Sequence, residues 1–189
     1  MAERRILQIE NPGDKKILKT RAHQVQLPNP NLKQLVADMF ETMHAANGVG
    51  LAAPQIGLSQ RLAVIYIPPE IEEYEDGTQV EVAPSQEYVL INPEIIKRGD
   101  KEDADLEGCL SLPGWYGEVP RPNWVTVEFS GLDGKRYRLR RVDGLLARAV
   151  QHEIDHLDGI LFTERIRDLA TLKDHRTESP KEERVETRV

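Results

Sequence analysis

The stretch at 143–159, DGLLARAVQHEIDHLDG, constrains this chain more than any other. It holds His152, Glu153 and His156 as an H-E-x-x-H string. On a helix, residues four apart lie one above the other, so both imidazoles can reach a single metal ion. At about 100° per residue the two histidines sit within roughly 40° of each other, with Leu145 and Ala149 on the same stripe. Glu153 falls roughly 60–100° to one side, close enough to act on a water at the metal without being a ligand. Leu146, Val150, Ile154 and Leu157 widen the apolar arc, while Arg148, Gln151 and Asp155 form a polar flank. So broad an arc predicts a buried central helix, capped by Asp143 and stopped at Gly159. One histidine on an apolar face is most often a satisfied core residue. Two at this spacing, with a glutamate after the first, point to hydrolytic metal chemistry.

Composition removes other classes. A chain of 189 residues predicts one domain with a sizeable core. A net charge of −7 argues against a nucleic-acid backbone or an anionic membrane as the main partner. Cys109 is the single cysteine, so no internal disulfide forms and a reducing compartment is expected. Arg4 and Arg5 have no apolar run behind them, so the start does not read as a signal peptide. No apolar run reaches the length of a membrane span. The expectation is a cytoplasmic protein, or one inside an organelle in mature form.

Along the chain, Ile6, Leu7 and Ile9 read as a short extended segment, ended by a turn at Asn11-Pro12-Gly13-Asp14. Leu32, Leu35, Val36, Met39, Phe40 and Met43 follow the amphipathic helix period. Asn29 is the expected cap, with Asn47-Gly48 as the end. Residues 48–53 match G-x-G-x-x-A, but a helix precedes them and Pro54 follows, so the dinucleotide reading fails. The small residues suggest backbone that comes close to a ligand or another segment. Gln55 is then either delivered into that crowded place or exposed on a tight connection. Leu62–Ile67 predicts a buried strand. A long acidic connection spans 68–87, with room for a small hairpin at Asp76-Gly77. Tyr88–Ile91 and Ile95-Ile96 read as two strands split by Asn92-Pro93, before a charged loop at Gly99–Asp105. Val125, Val127 and Phe129 alternate, as do Tyr137 and Leu139, predicting a hairpin that feeds the central helix. From Lys173 on, only Val185 and Val189 are aliphatic, so 173–189 reads as a polar, disordered tail behind a single domain at 1–172.

A catalytic metal site needs a third protein ligand. The metzincin pattern would place a histidine at position 162, which is Phe. Glu164 and Glu178 are poor candidates for a thermolysin-like site. Cys109, in a tight glycine-flanked turn, remains the attractive donor, with a small buried hydrophobe as its bland alternative.

Three segments then carry a resemblance in register. Gly48-Val49-Gly50-Leu51-Ala52-Ala53-Pro54-Gln55, Glu107-Gly108-Cys109-Leu110-Ser111 and Gln151-His152-Glu153-Ile154-Asp155-His156 are similar to the three motifs of peptide deformylases. The resemblance implies removal of the formyl group from N-formylmethionine on newly made polypeptides, near the ribosome, by a monomer. It implies Cys109, His152 and His156 as ligands of one divalent metal, Fe²⁺ in many members. Ligand chemistry alone suggests Zn²⁺, and Ni²⁺ or Co²⁺ also suit. It further implies Glu153 as the base, and the Gln55 amide with the Leu110 N–H as stabilisers of the formyl oxygen. Gly50 leaves room for substrate backbone; Val49, Leu145 and Ala149 are expected to line a methionine pocket. Glu107 and Asp155 are expected to orient ligands. Two departures stand out: Trp115-Tyr116-Gly117 where many members carry a substrate-facing Arg, and Arg148 where others have an aliphatic residue. The strands and the resemblance together imply an α+β fold, with antiparallel or mixed sheets packed around the metal-binding helix. A zinc peptidase with another third ligand, and a metal-stabilised binding module with a fourth, remain the alternatives.

Overall fold

The structure is a computed structural model that describes residues 2–74 and 76–176. α1 (Pro12–Leu18) begins where the Asn11 side chain accepts the N–H groups of Gly13 and Asp14. The string that reads as a turn is therefore a helix start. The same side-chain bonds serve both, and burial of Leu18 favours the helix. α2 (Leu32–Ala45) buries Leu32, Val36, Met39 and Met43 on one face. It begins later than an Asn29 cap implies: Asn31 takes the N-cap position, and Asn29 accepts the Asn31 N–H.

The strands among the described residues are β1 (Gly50–Ala52), β2 (Leu62–Ile67), β3 (Glu70–Glu73), β4 (Gln79–Ala83) and β5 (Gln86–Arg98). They continue with β6 (Glu102–Cys109), β7 (Leu112–Pro122), β8 (Trp124–Ser130) and β9 (Arg136–Asp143). α3 (Gly144–Leu157) follows, and β10 (Lys173–Asp174) comes last. All strand pairings are antiparallel, in a five-stranded sheet β1-β2-β5-β8-β9, a three-stranded sheet β10-β7-β6, and the hairpin β3-β4.

α3 lies between the two larger sheets, and every residue from Ala147 to Leu157 is buried. Ala149, Val150 and Ile154 pack with Ile65, Leu90, Val125 and Val127 of the five-stranded sheet. Burial of Val150 and of Ile154 contributes about 1.5–3 kcal/mol each, enough to hold the helix in register. The polar flank is not solvated. Gln151 donates to the Pro122 carbonyl, and Arg148 to the Val119 and Asp103 carbonyls, on β7 and β6. Gly159 closes the helix at φ 74°, where a Cβ would lie 2.6 Å from the Lys19 carbonyl oxygen. No other residue fits there.

Several strands differ from the sequence reading. Tyr88–Ile91 and Ile95-Ile96 belong to one strand, β5, which bulges between Ile91 and Glu94. Asn92 absorbs the irregularity at φ 53° while its amide clamps the Val25 N–H and carbonyl at 2.8 and 2.9 Å. Much of the charged loop is β6, whose exposed outer end carries Glu102, Asp103 and Asp105. β7 escapes notice because it holds Pro113, Pro120 and Pro122. Pro120 and Pro122 lack N–H groups on the same edge, beyond the reach of β10, which pairs only with Trp115 and Tyr116. The expected tail begins with β10, where Lys173 and Asp174 pair with β7 instead of standing free. The remainder of that tail, 177–189, lies outside the described residues.

Candidate metal centre

β6 ends at Cys109 and α3 crosses over it, which brings Cys109, His152 and His156 together. One donor atom from each lies within 4.8 Å of the others, and all three residues are buried. Cys109 Sγ is 3.2 Å from His156 Nε2, and the two imidazoles meet edge-on at 4.9 Å. The segment around Cys109 marks it as a ligand, but the meeting itself depends on the β6–β7 hairpin packing across α3.

Burial disfavours the charged forms of Cys109, Glu153 and His156. Burial pushes the Cys109 thiol up to about 12, with Glu153 and Glu107 adding to the effect. Burial raises the Glu153 carboxyl well above the usual range, against the pull of Arg121. Burial, His152 and Arg121 together hold His156 well below an ordinary imidazole, so it is neutral. Four buried polar atoms here have no hydrogen-bond partner: His152 Nε2, His156 Nδ1 and both Glu153 oxygens. A divalent cation supplies the missing charge for a thiolate and the missing partner for His152 Nε2. The donor set, one soft sulfur with two imidazoles, suits such an ion. The residues fit a metal.

Behind His152 stands Glu107, fully buried. Its Oε2 is 3.0 Å from His152 Nδ1, which fixes that nitrogen as the protonated one and leaves Nε2 for a metal. Arg121 donates to both Glu107 oxygens at 2.6 and 2.8 Å, and Arg148 donates to Oε1 at 2.7 Å. Burial alone would raise the Glu107 carboxyl, but the bonds to Arg121 and His152 outweigh it and hold the group well below the carboxylate range. Asp155 does not reach a histidine; it accepts from Arg121 at 2.8 Å and from Arg165 at 2.5 Å. Arg121 is thus the hub of a buried ion network that no sequence motif marked. Phe162, the residue that breaks the metzincin pattern, stacks on His152 at 6.2 Å.

The opposite wall comes from β1 and the 3₁₀ turn at Ala53–Ile56. Gln55 is buried, not exposed: its Oε1 accepts the Ala52 N–H at 2.8 Å. That bond aims its amide nitrogen at Ser111 Oγ, 3.3 Å away, and at Cys109 Sγ, 3.7 Å away. Ser111, which also donates its N–H to the sulfur at 3.4 Å, was missed from sequence although it sits inside the Cys109 motif. A Cβ on Gly50 would fall 2.3 Å from Glu153 Oε1, so only glycine lets β1 pass so close to the carboxylate. Leu110 follows Cys109 directly and lays its side chain on Gly48, whose Cβ would meet it at 2.6 Å.

The expected methionine pocket divides. Val49 and Ala149 share one apolar cluster with Leu146. Leu145 instead borders a cavity of ≈ 330 Å³ with Asp103, Arg121, Arg148 and Gln151. A second cavity, ≈ 250 Å³, reaches Cys109 and is bounded by Ile6, Ala46, Leu110 and Trp115. Of the two departures, Arg148 is absorbed into the Glu107 network. Trp115 is half-buried beneath the Arg176 guanidinium, 5.7 Å from its ring.

The family model for polypeptide deformylase matches residues 4–171. The chain belongs to the polypeptide deformylase family. A peptide deformylase of Roseiflexus sp. strain RS-1 is 75% identical over 178 residues, covering 94% of this chain and 96% of the relative. The solved peptide deformylase of Ehrlichia chaffeensis is similar at a TM-score of 0.75 and 33% identity, covering 90% of this chain and 91% of that one. An Acinetobacter baumannii class I type b peptide deformylase, solved with Met-Ala-Ser bound, reaches a TM-score of 0.72 at 34% identity over 87% of this chain and 99% of that one. The fold is α+β with antiparallel sheets, as in these relatives. The activity is hydrolytic: removal of the N-formyl group from the N-terminal formylmethionine of newly made polypeptides. Among the described residues no helix is long and apolar enough to cross a membrane.

Proposed function

We propose that Cys109, His152 and His156 hold one Fe²⁺ ion, and that Glu153 is the acid–base group of formyl hydrolysis on peptides emerging near the ribosome. The observation that carries this reading is one constellation. Three donor atoms lie within 4.8 Å, next to a glutamate with no partner and an amide aimed at the same sulfur. Bound there, the ion supplies Lewis acidity toward a water and toward the formyl oxygen. Glu153, uncharged by preference in its dry setting, becomes a base beside that cation; it accepts the water proton and returns it to the leaving amine. The Gln55 amide and the Leu110 N–H donate to the oxygen as charge grows on it. The Ala52 N–H holds Gln55 in the donating orientation, so this aid costs no rearrangement during the reaction.

Val49 and Ala149 offer an apolar wall for the methionine side chain. Fe²⁺ rests on the family resemblance; Zn²⁺, Ni²⁺ and Co²⁺ suit the same donors. The enzyme works as a monomer, with residues 1–172 as its catalytic unit, in the cytoplasm or an organelle interior. The test is formate release from formyl-Met-Ala-Ser by anaerobically prepared protein, with metal content measured on the same sample. One equivalent of iron with formate release supports the reading. One equivalent of metal with no release defeats it.

A further inference from the structure

The 68–87 connection contributes nothing to the metal centre, yet it is built as a distinct arm. β3 and β4 pair only with each other, and a two-stranded hairpin is marginal in water by itself. It exposes Ile71, Tyr74, Val80 and Val82, the first at 54%. Glu70, Glu72, Glu73, Asp76 and Glu81 lie on the same hairpin, and no lysine or arginine occurs anywhere from Leu62 to Ile96. The arm is therefore apolar and anionic at once.

Its root places it on the path of a peptide. Gly50 marks the depth of Glu153 along β1. Inward of Gly50, Leu51, Ala52 and Gln55 are buried and close that end. Outward, Val49 is half-buried and Asn47 exposed, so a peptide with its formyl carbon at the metal centre leaves past Val49. β2 runs beside this exit: Ile65 faces Gly50, and the Tyr66 N–H donates to the Val49 carbonyl at 2.8 Å. Glu70 follows Ile65 by five residues, at most about 17 Å of extended chain. An extended peptide advances about 3.3 Å per residue, so its fourth to sixth residues come level with the hairpin.

We propose that the β3–β4 hairpin is a substrate-selecting arm that favours formylated peptides with lysine or arginine beside apolar residues at positions four to six. The proposal rests on the deformylase reading. Its charges act by steering and by weak exposed pairs, so the gain appears in KM, not in kcat.

The experiment compares formyl-Met-Ala-Ser-Lys-Leu-Lys with formyl-Met-Ala-Ser-Glu-Leu-Glu, with formyl-Met-Ala-Ser as control. The enzymes are the metal-loaded wild type and a variant combining Glu70→Gln, Glu72→Gln, Glu73→Gln and Glu81→Gln. The wild type should prefer the lysine peptide by about five-fold in KM at low salt, as two exposed ion pairs allow. That preference should vanish in the variant, while formyl-Met-Ala-Ser is cleaved equally by both. Should the variant lose the control activity through misfolding, the wild type alone decides. Its preference must then collapse near 1 M salt, where the screening length is about 3 Å. Equal preference in wild type and folded variant, or a preference indifferent to salt, overturns the proposal. No cleavage of formyl-Met-Ala-Ser by the metal-loaded wild type would overturn the deformylase reading itself, and this proposal with it.

Discussion

Glu107→Gln probes the network that orients His152. The native carboxylate accepts four hydrogens: Arg121 Nε and Arg148 on Oε1, and a second Arg121 nitrogen with His152 on Oε2. Glutamine keeps the shape but offers one oxygen and one two-hydrogen donor. If the oxygen serves the two arginines, the amide faces His152 Nδ1. The imidazole then accepts there and carries its proton on Nε2, the nitrogen a metal needs. If the amide flips, Arg148 and Arg121 Nε meet N–H instead of oxygen. Either way two buried arginines lose an anion, and Arg121 retains only Asp155. Breaking such a buried pair costs about 3–5 kcal/mol, a large part of a total stability of about 5–15 kcal/mol. Misorienting the ligand costs about 10–100-fold in metal affinity. Urea unfolding of the metal-free protein and chelator competition read the two effects separately.

The pH dependence of this prediction follows from the sign of the shift. Glu107 is held below its unfolded value, so its contribution is complete above about pH 4.3 and is lost as pH falls toward the folded value. The gap between wild type and variant should therefore narrow by about 1.4 kcal/mol per unit below that pH. A variant with the wild-type urea midpoint and metal affinity at pH 7 would refute the account of the network.

Three further outcomes follow from the site. Cys109→Ala should lose both metal and formate release, whereas Glu153→Ala should keep its metal and lose about 10²–10⁴-fold in rate; full hydrolysis by the Cys109→Ala protein contradicts the ligand set. Gly50→Ala pushes a methyl group to within 2.3 Å of Glu153 Oε1, so kcat should fall while metal content stays constant; unchanged kcat would show that β1 can retreat. With the metal-free thiol near 12 and His156 already neutral, metal uptake releases the Cys109 proton, and Glu153 adds a second as it becomes a carboxylate beside the cation. Apparent metal affinity should then rise at least about tenfold per pH unit between about 7 and 9, and a flat profile would show that the thiolate is already formed without metal.

Parts of this molecule were legible because their signals are local. The period of α2 and α3, the alternation of β8 and β9, and the turn at Asp76-Gly77 each depend on residues close in sequence. β7 was hidden, since proline argues against a strand unless the sequence also shows which edge stays unpaired, and it does not. α1 was hidden for a related reason: Asn11-Pro12-Gly13-Asp14 satisfies a turn and a helix cap equally, and only the burial of Leu18 and Asp14 decides.

The site shows the same division more sharply. The histidine pair is a helix spacing, and spacing is written in the sequence. Whether Arg148, Gln151 and Asp155 face water is not, because a polar flank looks identical against solvent and against a second sheet. Here the second sheet wins, and it brings Glu107 and Arg121 to the helix. The consequence reaches the chemistry. A solvated flank would leave His152 free to rotate and to exchange its tautomer. A flank locked to β6 and β7 by Arg121 and Arg148 permits one orientation, with Nε2 turned toward Cys109 and His156. The motif names the ligands, while the β6–β7 hairpin decides that they point at one place.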